Sequence, residues 1–138
     1  MTRPRRGRPG TRRSVDGPPD QQEQARAVAA LKRLAELLER IGSPRAGAVA
    51  ALPARFARDP ADAWRTLNAN AWWAGAGSLA AETMADNPGL DPYQWQNDVR
   101  ELRELLIEIG ESLQARGDPN PGLGSWLLAF HNWNDAGV

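Results

Sequence analysis

The stretch DPYQWQNDVRELRELLIEIGESLQARG, residues 91–117, decides the fold. Its apolar residues Trp95, Val99, Leu102, Leu106, Ile109 and Leu113 recur at steps of 4, 3, 4, 3 and 4. That spacing stacks side chains along one face of an α-helix, whereas a strand would need alternation. Asp91 offers a capping carboxylate, and Pro92 after it has a fixed φ suited to a first helical turn. Gly117 marks the other end, so the seam predicts one continuous helix whose apolar edge is about 30 Å long.

Working outward, the same starting device recurs at Ser43-Pro44 and Asp59-Pro60. A first helix is expected from Asp20, which with Glu23 three residues on makes a capping-box-like start. Its apolar positions Val28, Leu31, Leu34, Ala35, Leu38 and Ile41 keep helical spacing, and Gly42 can adopt the left-handed end. A second helix from Pro44 towards Arg58 would bury Val49, Leu52 and Phe56. Pro53 inside it removes a backbone donor, at a cost near 3 kcal/mol, and so predicts a break around Leu52. The third, from Pro60 to about Ala71, puts Ala63, Trp64 and Leu67 on one face. Ser78 is placed to cap a short helix through Met84 that Asn87-Pro88-Gly89 ends. A closing helix carries Leu123, Trp126, Leu127, Phe130 and Trp133, either as a lid over the bundle, the favoured reading, or as an exposed aromatic patch.

Composition agrees with an all-α class. Ala contributes 23 residues, while Val, Ile and Thr together number 12, a balance that favours helices over sheet. The expectation is a compact bundle of four to five helices over residues 20–138, the two long helices forming the central pair. No apolar run approaches the roughly 18 residues that would span a bilayer. The absence of Cys fits a reducing cytoplasm and removes thiol catalysis and zinc ribbons.

Zero net charge conceals a polarity. Six Arg and no acid lie in the first 13 residues, and the remainder holds 11 basic against 17 acidic residues, a net charge of −6. Residues 1–19, rich in Arg, Pro and Gly, read as a disordered arm. Within it, Pro4-Arg5-Arg6-Gly7-Arg8-Pro9 resembles an AT-hook, in which Arg6 and Arg8 would follow the negative potential of a narrow A·T minor groove. Nucleic acid is therefore a partner open to this arm.

The middle of the chain carries Trp73-Ala74-Gly75-Ala76-Gly77-Ser78-Leu79-Ala80-Ala81. This run resembles the aromatic-Gly-Gly-Met-Gly-Ser-apolar-Asn-Asp segment of a small uncharacterised bacterial helical domain family, set in a similar order of helices from Ala27 to Ala115. Trp73, Gly75, Gly77, Ser78 and Leu79 carry the likeness, and Ala80 and Ala81 stand where the family has its polar pair. The resemblance implies a helical domain of partner-binding or immunity type and brings no activity with it.

Chemistry-bearing residues are few. Gly75, Gly77 and Ser78 form a flexible turn, read chiefly as structural, with an anion cradle as the sharper alternative. Glu101, Glu104, Glu108 and Glu111 line one face of the long helix, a stripe suited to a basic partner and tempered by Arg100 and Arg103. Trp72 and Trp73 are neighbours and on a helix point about 100° apart, so one of them is expected at the surface as a partner contact; Trp64 and Trp95 read as core. His131, the one histidine, has no nucleophile or acid assigned to it by spacing. No cofactor, metal or catalytic set is expected; noncatalytic binding of another protein is the leading reading, with DNA association through the arm and, last, a small enzyme as alternatives.

Overall fold

Where each helix starts and stops is set by identifiable side chains. The computed structural model describes residues 19–138, so the arm reading and the AT-hook residues Arg6 and Arg8 lie outside the described residues. The first helix, α1, spans Pro19–Arg40. Pro19 is already helical, so Asp20 sits inside the first turn, where a carboxylate favours the helix dipole. The far end is a Schellman motif: Gly42 at φ +77° lets its N–H reach the Glu39 carbonyl (3.1 Å) and the Ser43 N–H reach the Leu38 carbonyl (2.8 Å).

The second predicted helix is two pieces, α2 (Ala46–Ala50) and α3 (Leu52–Arg58). Pro53 lies in the first turn of α3, where its missing N–H has no partner to lose, and the break falls at Ala51. Ser43 does not cap α2. Its Oγ accepts from the Arg45 N–H at 3.2 Å, which tightens a turn and delays the helix to Ala46.

α4 (Pro60–Leu67) starts as expected, with Asp59 Oδ1 accepting the Asp62 N–H at 3.2 Å. It does not run on to Ala71. The Leu67 carbonyl accepts instead from the indole Nε1 of Trp73 at 2.7 Å. The Asn68 side chain is drawn away to the Asn120 backbone N–H at 2.7 Å. A short helix, α5 (Asn70–Trp73), follows the extended Ala69. A 3-10 helix covers Ala80–Met84, and Ser78 Oγ accepts the Ala81 N–H just before it at 3.2 Å.

The decisive stretch forms α6, Pro92–Arg116, capped by Asp91 through the N–H groups of Tyr93 (2.8 Å) and Gln94 (3.3 Å). Val99, Leu102, Leu106, Ile109 and Leu113 are buried and Trp95 is half-buried. α6 runs antiparallel to α1, as the pairing of Arg26 with Glu111 at one end and Arg40 with Asp98 at the other requires. α2 and α3 pack on α1, and α3 also packs on α4.

The last helix, α7 (Leu123–Ala136), closes over α6 as a lid. Phe130 is fully buried, and the half-buried Trp126 donates its indole N–H to the Trp73 carbonyl at 2.9 Å. Two glycines permit this closure. A Cβ on Gly110 would lie 2.8 Å from Leu127 Cδ2, and one on Gly122 would lie 2.4 Å from the Trp73 carbonyl oxygen. One apolar cluster gathers residues from α1 to α7. The protein is all-α: seven α-helices, several of them short, and one 3-10 helix, with no strand among the described residues. No described helix is long and apolar enough to cross a membrane.

Candidate functional site

The acidic stripe of α6 is largely closed from within. Arg26, Arg33 and Arg40 recur on α1 at steps of seven, so they share one face and meet the antiparallel α6 in order. Arg26 pairs with Glu111 at 2.6 Å and Arg33 with Glu108 at 3.6 Å. Arg40 pairs with Glu101 at 3.3 Å and with the buried Asp98 at 3.0 Å. Glu104 alone of the four has no ion pair among the described residues, and it lines a shallow mixed-charge cleft beside Arg33, Arg100 and His131. The stripe is an intramolecular seam rather than a free anionic face.

Both adjacent tryptophans are core, which corrects the expectation that one of them is a surface contact. Trp73 is fully buried and Trp72 is 6% exposed. α5 is one turn long and the backbone leaves it extended at Ala74, so neighbouring rings can both turn inward at a 37° tilt with centroids 6.2 Å apart. The 100° rule of a long helix does not apply to so short a segment.

The Gly75–Ser78 turn is structural, though not because glycine admits a close neighbour. A Cβ at Gly75 or Gly77 would meet nothing within 4 Å, and Gly75 is needed for its φ of +82°. Anion binding is opposed by what surrounds the turn. The N–H groups of Ser78 and Leu79 are taken by the Gly75 and Ala71 carbonyls. Outside it lies a cation's side chain: Arg45 donates to the Ala71 carbonyl at 3.0 Å and to the Gly77 carbonyl, while its Nε pairs with Glu82 at 2.6 Å. A guanidinium holds carbonyl oxygens there, the reverse of a phosphate cradle.

The feature that sequence reasoning missed lies on the other flank of α6. Arg103, expected to temper the stripe, is 7% exposed and faces away from Glu101 and Glu108. Its Nη1 donates to Asn134 Oδ1 at 3.2 Å and to an oxygen of the last residue Val138, and its guanidinium lies over the Trp133 ring, 5.2 Å from the centroid. Nε is buried with no acceptor. Burial first, and then repulsion from Arg100, hold this guanidinium below the ordinary arginine pKa. A signal was present in the sequence: Trp95, Val99 and Arg103 follow steps of four, so Arg103 extends an apolar row.

Arg103 lines a groove of about 690 Å³ between the N-terminal half of α6 and the 3-10 helix with the loop after it. Trp95 and Val99 form one wall with Arg103, and Met84, Pro88 and Leu90 form the other. Hydrogen bonds fix both walls. Trp95 Nε1 donates to the Ala85 carbonyl at 3.1 Å, and Asn87 Nδ2 donates to the Ile41 carbonyl at 2.9 Å. The mouth is open and mixed in character: Met84 is 66% exposed and Val138 58%, and Asp86, Asn87 and Gln96 also line it.

No group of three or more potential metal ligands gathers among the described residues, and His131 is exposed on α7. Comparison of the chain with protein-family models, curated proteins and solved structures gives no match. The functional reading therefore rests on the residues themselves.

Proposed function

We propose that this chain is a noncatalytic protein-binding domain of the accessory or immunity kind, and that it docks its partner in the groove beside Arg103. The observation that carries this reading is the groove's construction. A rim of exposed Met84 and Val138 lies over a fixed wall formed by Trp95 and Val99 with the buried Arg103. Exposed large apolar side chains around a concavity mark binding surfaces more than they serve stability. The reducing cytoplasm is the setting we assign it, since its 138 residues include no Cys. A second reading draws on the Arg-Gly-Arg-Pro run containing Arg6 and Arg8: attachment to nucleic acid through the first 13 residues, with the helical body as passenger.

Affinity purification of the tagged full-length chain from its own cells, with and without nuclease, separates the two. A stoichiometric protein that survives nuclease and is lost with Met84→Glu supports groove docking. Retention of nucleic acid that disappears on deleting residues 1–13 and falls steeply with salt supports the arm instead. A co-purifying protein indifferent to Met84→Glu overturns the groove as the docking site.

A further inference from the structure

Two helix breaks share one cavity. α2 gives way to α3 at Ala51, and the chain runs extended at Ala69 between α4 and α5. Val49 and Leu52 from either side of the first break, with Ala69 and Trp72 from the second and Leu79 beyond, line a space of about 240 Å³. Val49, Leu52, Trp72 and Leu79 are at most 6% exposed and belong to the apolar core. Close-packed interiors leave few voids larger than a water molecule, because side chains around a void lose their contacts on one side. The breaks spread the helices apart here, and the alanines beside them are too short to fill the space.

What could fill it is decided by what the walls offer. Thr66 Oγ1, at the edge, donates to the Asp62 carbonyl at 3.1 Å and accepts from Arg55 at 3.2 Å. Arg45, also at the edge, donates to the Ala71 and Gly77 carbonyls and pairs with Glu82 at 2.6 Å. No charge is left over for an ionised ligand, and burying one there without a partner is costly. The cavity reaches solvent beside Ala48 and Ala71, the exposed residues of its lining. None of the large apolar side chains exposed among the described residues, Met84, Tyr93, Leu128 and Val138, borders it. A partner protein would meet only methyl groups and a paired arginine around the mouth, too little to dock against. A small molecule needs only the interior.

We infer that this cavity is a binding site for one small uncharged apolar molecule, a single aromatic ring or a branched hydrocarbon of similar bulk, held against Trp72, Leu52 and Leu79. An apolar cavity of about 150 Å³ stays dry and takes up benzene. At about 240 Å³ the present one holds a ring with a short alkyl substituent. It shares no lining residue with the groove beside Arg103, so the inference stands apart from the protein-binding reading.

Toluene is the probe; benzoate carries the same ring with a charge, and N-acetylphenylalaninamide carries it on a peptide backbone. Thermal melts and titration calorimetry of the full-length chain read binding. Toluene at about ten times its dissociation constant is expected to raise Tm by on the order of 3 °C. Benzoate leaves Tm unchanged, and the peptide amide binds more weakly than toluene by about tenfold or more. Ring-current shifts in methyl NMR spectra give the place: resonances of Val49, Leu52 and Leu79 move, while those of Leu90 and Val99 in the groove do not. Val49→Phe, which fills the cavity, abolishes toluene binding. Because the methyl shifts are read on the unaltered chain, misfolding of Val49→Phe leaves the test intact. Absence of toluene binding, or shifts at the groove instead, overturns the cavity as a site. Equal binding of benzoate overturns the uncharged ligand, and equal binding of the peptide amide gives the cavity to a partner's side chain and overturns the free small molecule. None of these outcomes bears on the Met84→Glu test of the groove.

Discussion

Arg40 and Arg103 both reach polar groups at α6, and they meet opposite circumstances. Arg40 comes from α1 with its side chain half in solvent, finds Asp98 at 3.0 Å and Glu101 at 3.3 Å, and has its pKa raised chiefly by the hydrogen bond to Asp98. Arg103 belongs to α6 itself, is buried, donates to the Asn134 amide oxygen and to the last residue Val138, and has its pKa lowered chiefly by desolvation. On the α1 flank, charge is matched residue by residue, so the surface is finished when the chain folds. On the groove flank one buried guanidinium is held by Asn134, by the last residue Val138 and by the Trp133 ring. Abundance of charge does not identify a binding face.

Both flanks hang from one register of α6, so the largest test of the comparison is aimed there. Leu106 is fully buried and Glu104 exposed. Leu106→Ala is expected to cost about 2 to 5 kcal/mol in denaturant melts, and Glu104→Ala less than about 0.5 kcal/mol. Equal effects would rotate the helix and dissolve both the arginine seam and the groove.

A second test asks whether α7, whose Asn134 and Trp133 hold Arg103, is seated as described. The backbone of Gly122, φ −80° and ψ −15°, suits any residue, so Gly122→Ala strains no dihedral. Its Cβ would nonetheless sit 2.4 Å from the Trp73 carbonyl oxygen, which also accepts the Trp126 indole N–H. Backbone must move to relieve the clash, and the expected loss is about 1 to 3 kcal/mol. A neutral result in a thermal melt would mean that α7 lies further from α5.

How much of this was legible in the sequence follows the range of each interaction. The seam of α6, the caps at Asp59 and Asp91, the break near Pro53 and the left-handed Gly42 are local, set by spacing and by backbone chemistry within a few residues. The early stop of α4 was not legible. It depends on Asn120 and Trp73 capturing groups of Asn68 and Leu67 that a lone helix would have used itself. Trp72 and Trp73 were misplaced because a long-helix rule was applied to a single turn. The acidic stripe was found correctly as a face of α6, but its neutralisation lies on α1, some 60 to 85 residues earlier in the chain. Arg103 was hidden for the converse reason: a charge among charges reads as solvated until burial is known.

The comparison itself is tested by giving both arginines the same replacement. Arg40→Met leaves Asp98, whose Oδ2 already lacks a hydrogen bond, as a buried carboxylate without its cation. The expected cost is about 1 to 2 kcal/mol, reduced from that of a fully buried pair because Arg40 is itself half exposed. Arg103→Met removes a buried cation whose freed acceptors lie on half-buried Asn134 and exposed Val138, where water can take its place. Stability is expected to stay within about 1 kcal/mol of the parent. A large loss of stability at Arg103 would make it a structural anchor and remove the contrast with Arg40.

The smallest effect sharpens what a matched pair is worth. Arg33 and Glu108 sit 3.6 Å apart with side chains 59% and 37% exposed, so solvent screens them and ordering two long side chains offsets much of the attraction. A double-mutant cycle with Arg33→Ala and Glu108→Ala should return a coupling of no more than about 0.5 kcal/mol, and molar salt should erase it. A larger, salt-resistant coupling would mean that the seam between α1 and α6 is held by its charges. The expected small value assigns the hold to the buried leucines of both helices, and leaves the arginine ladder the task of neutralising the acidic stripe.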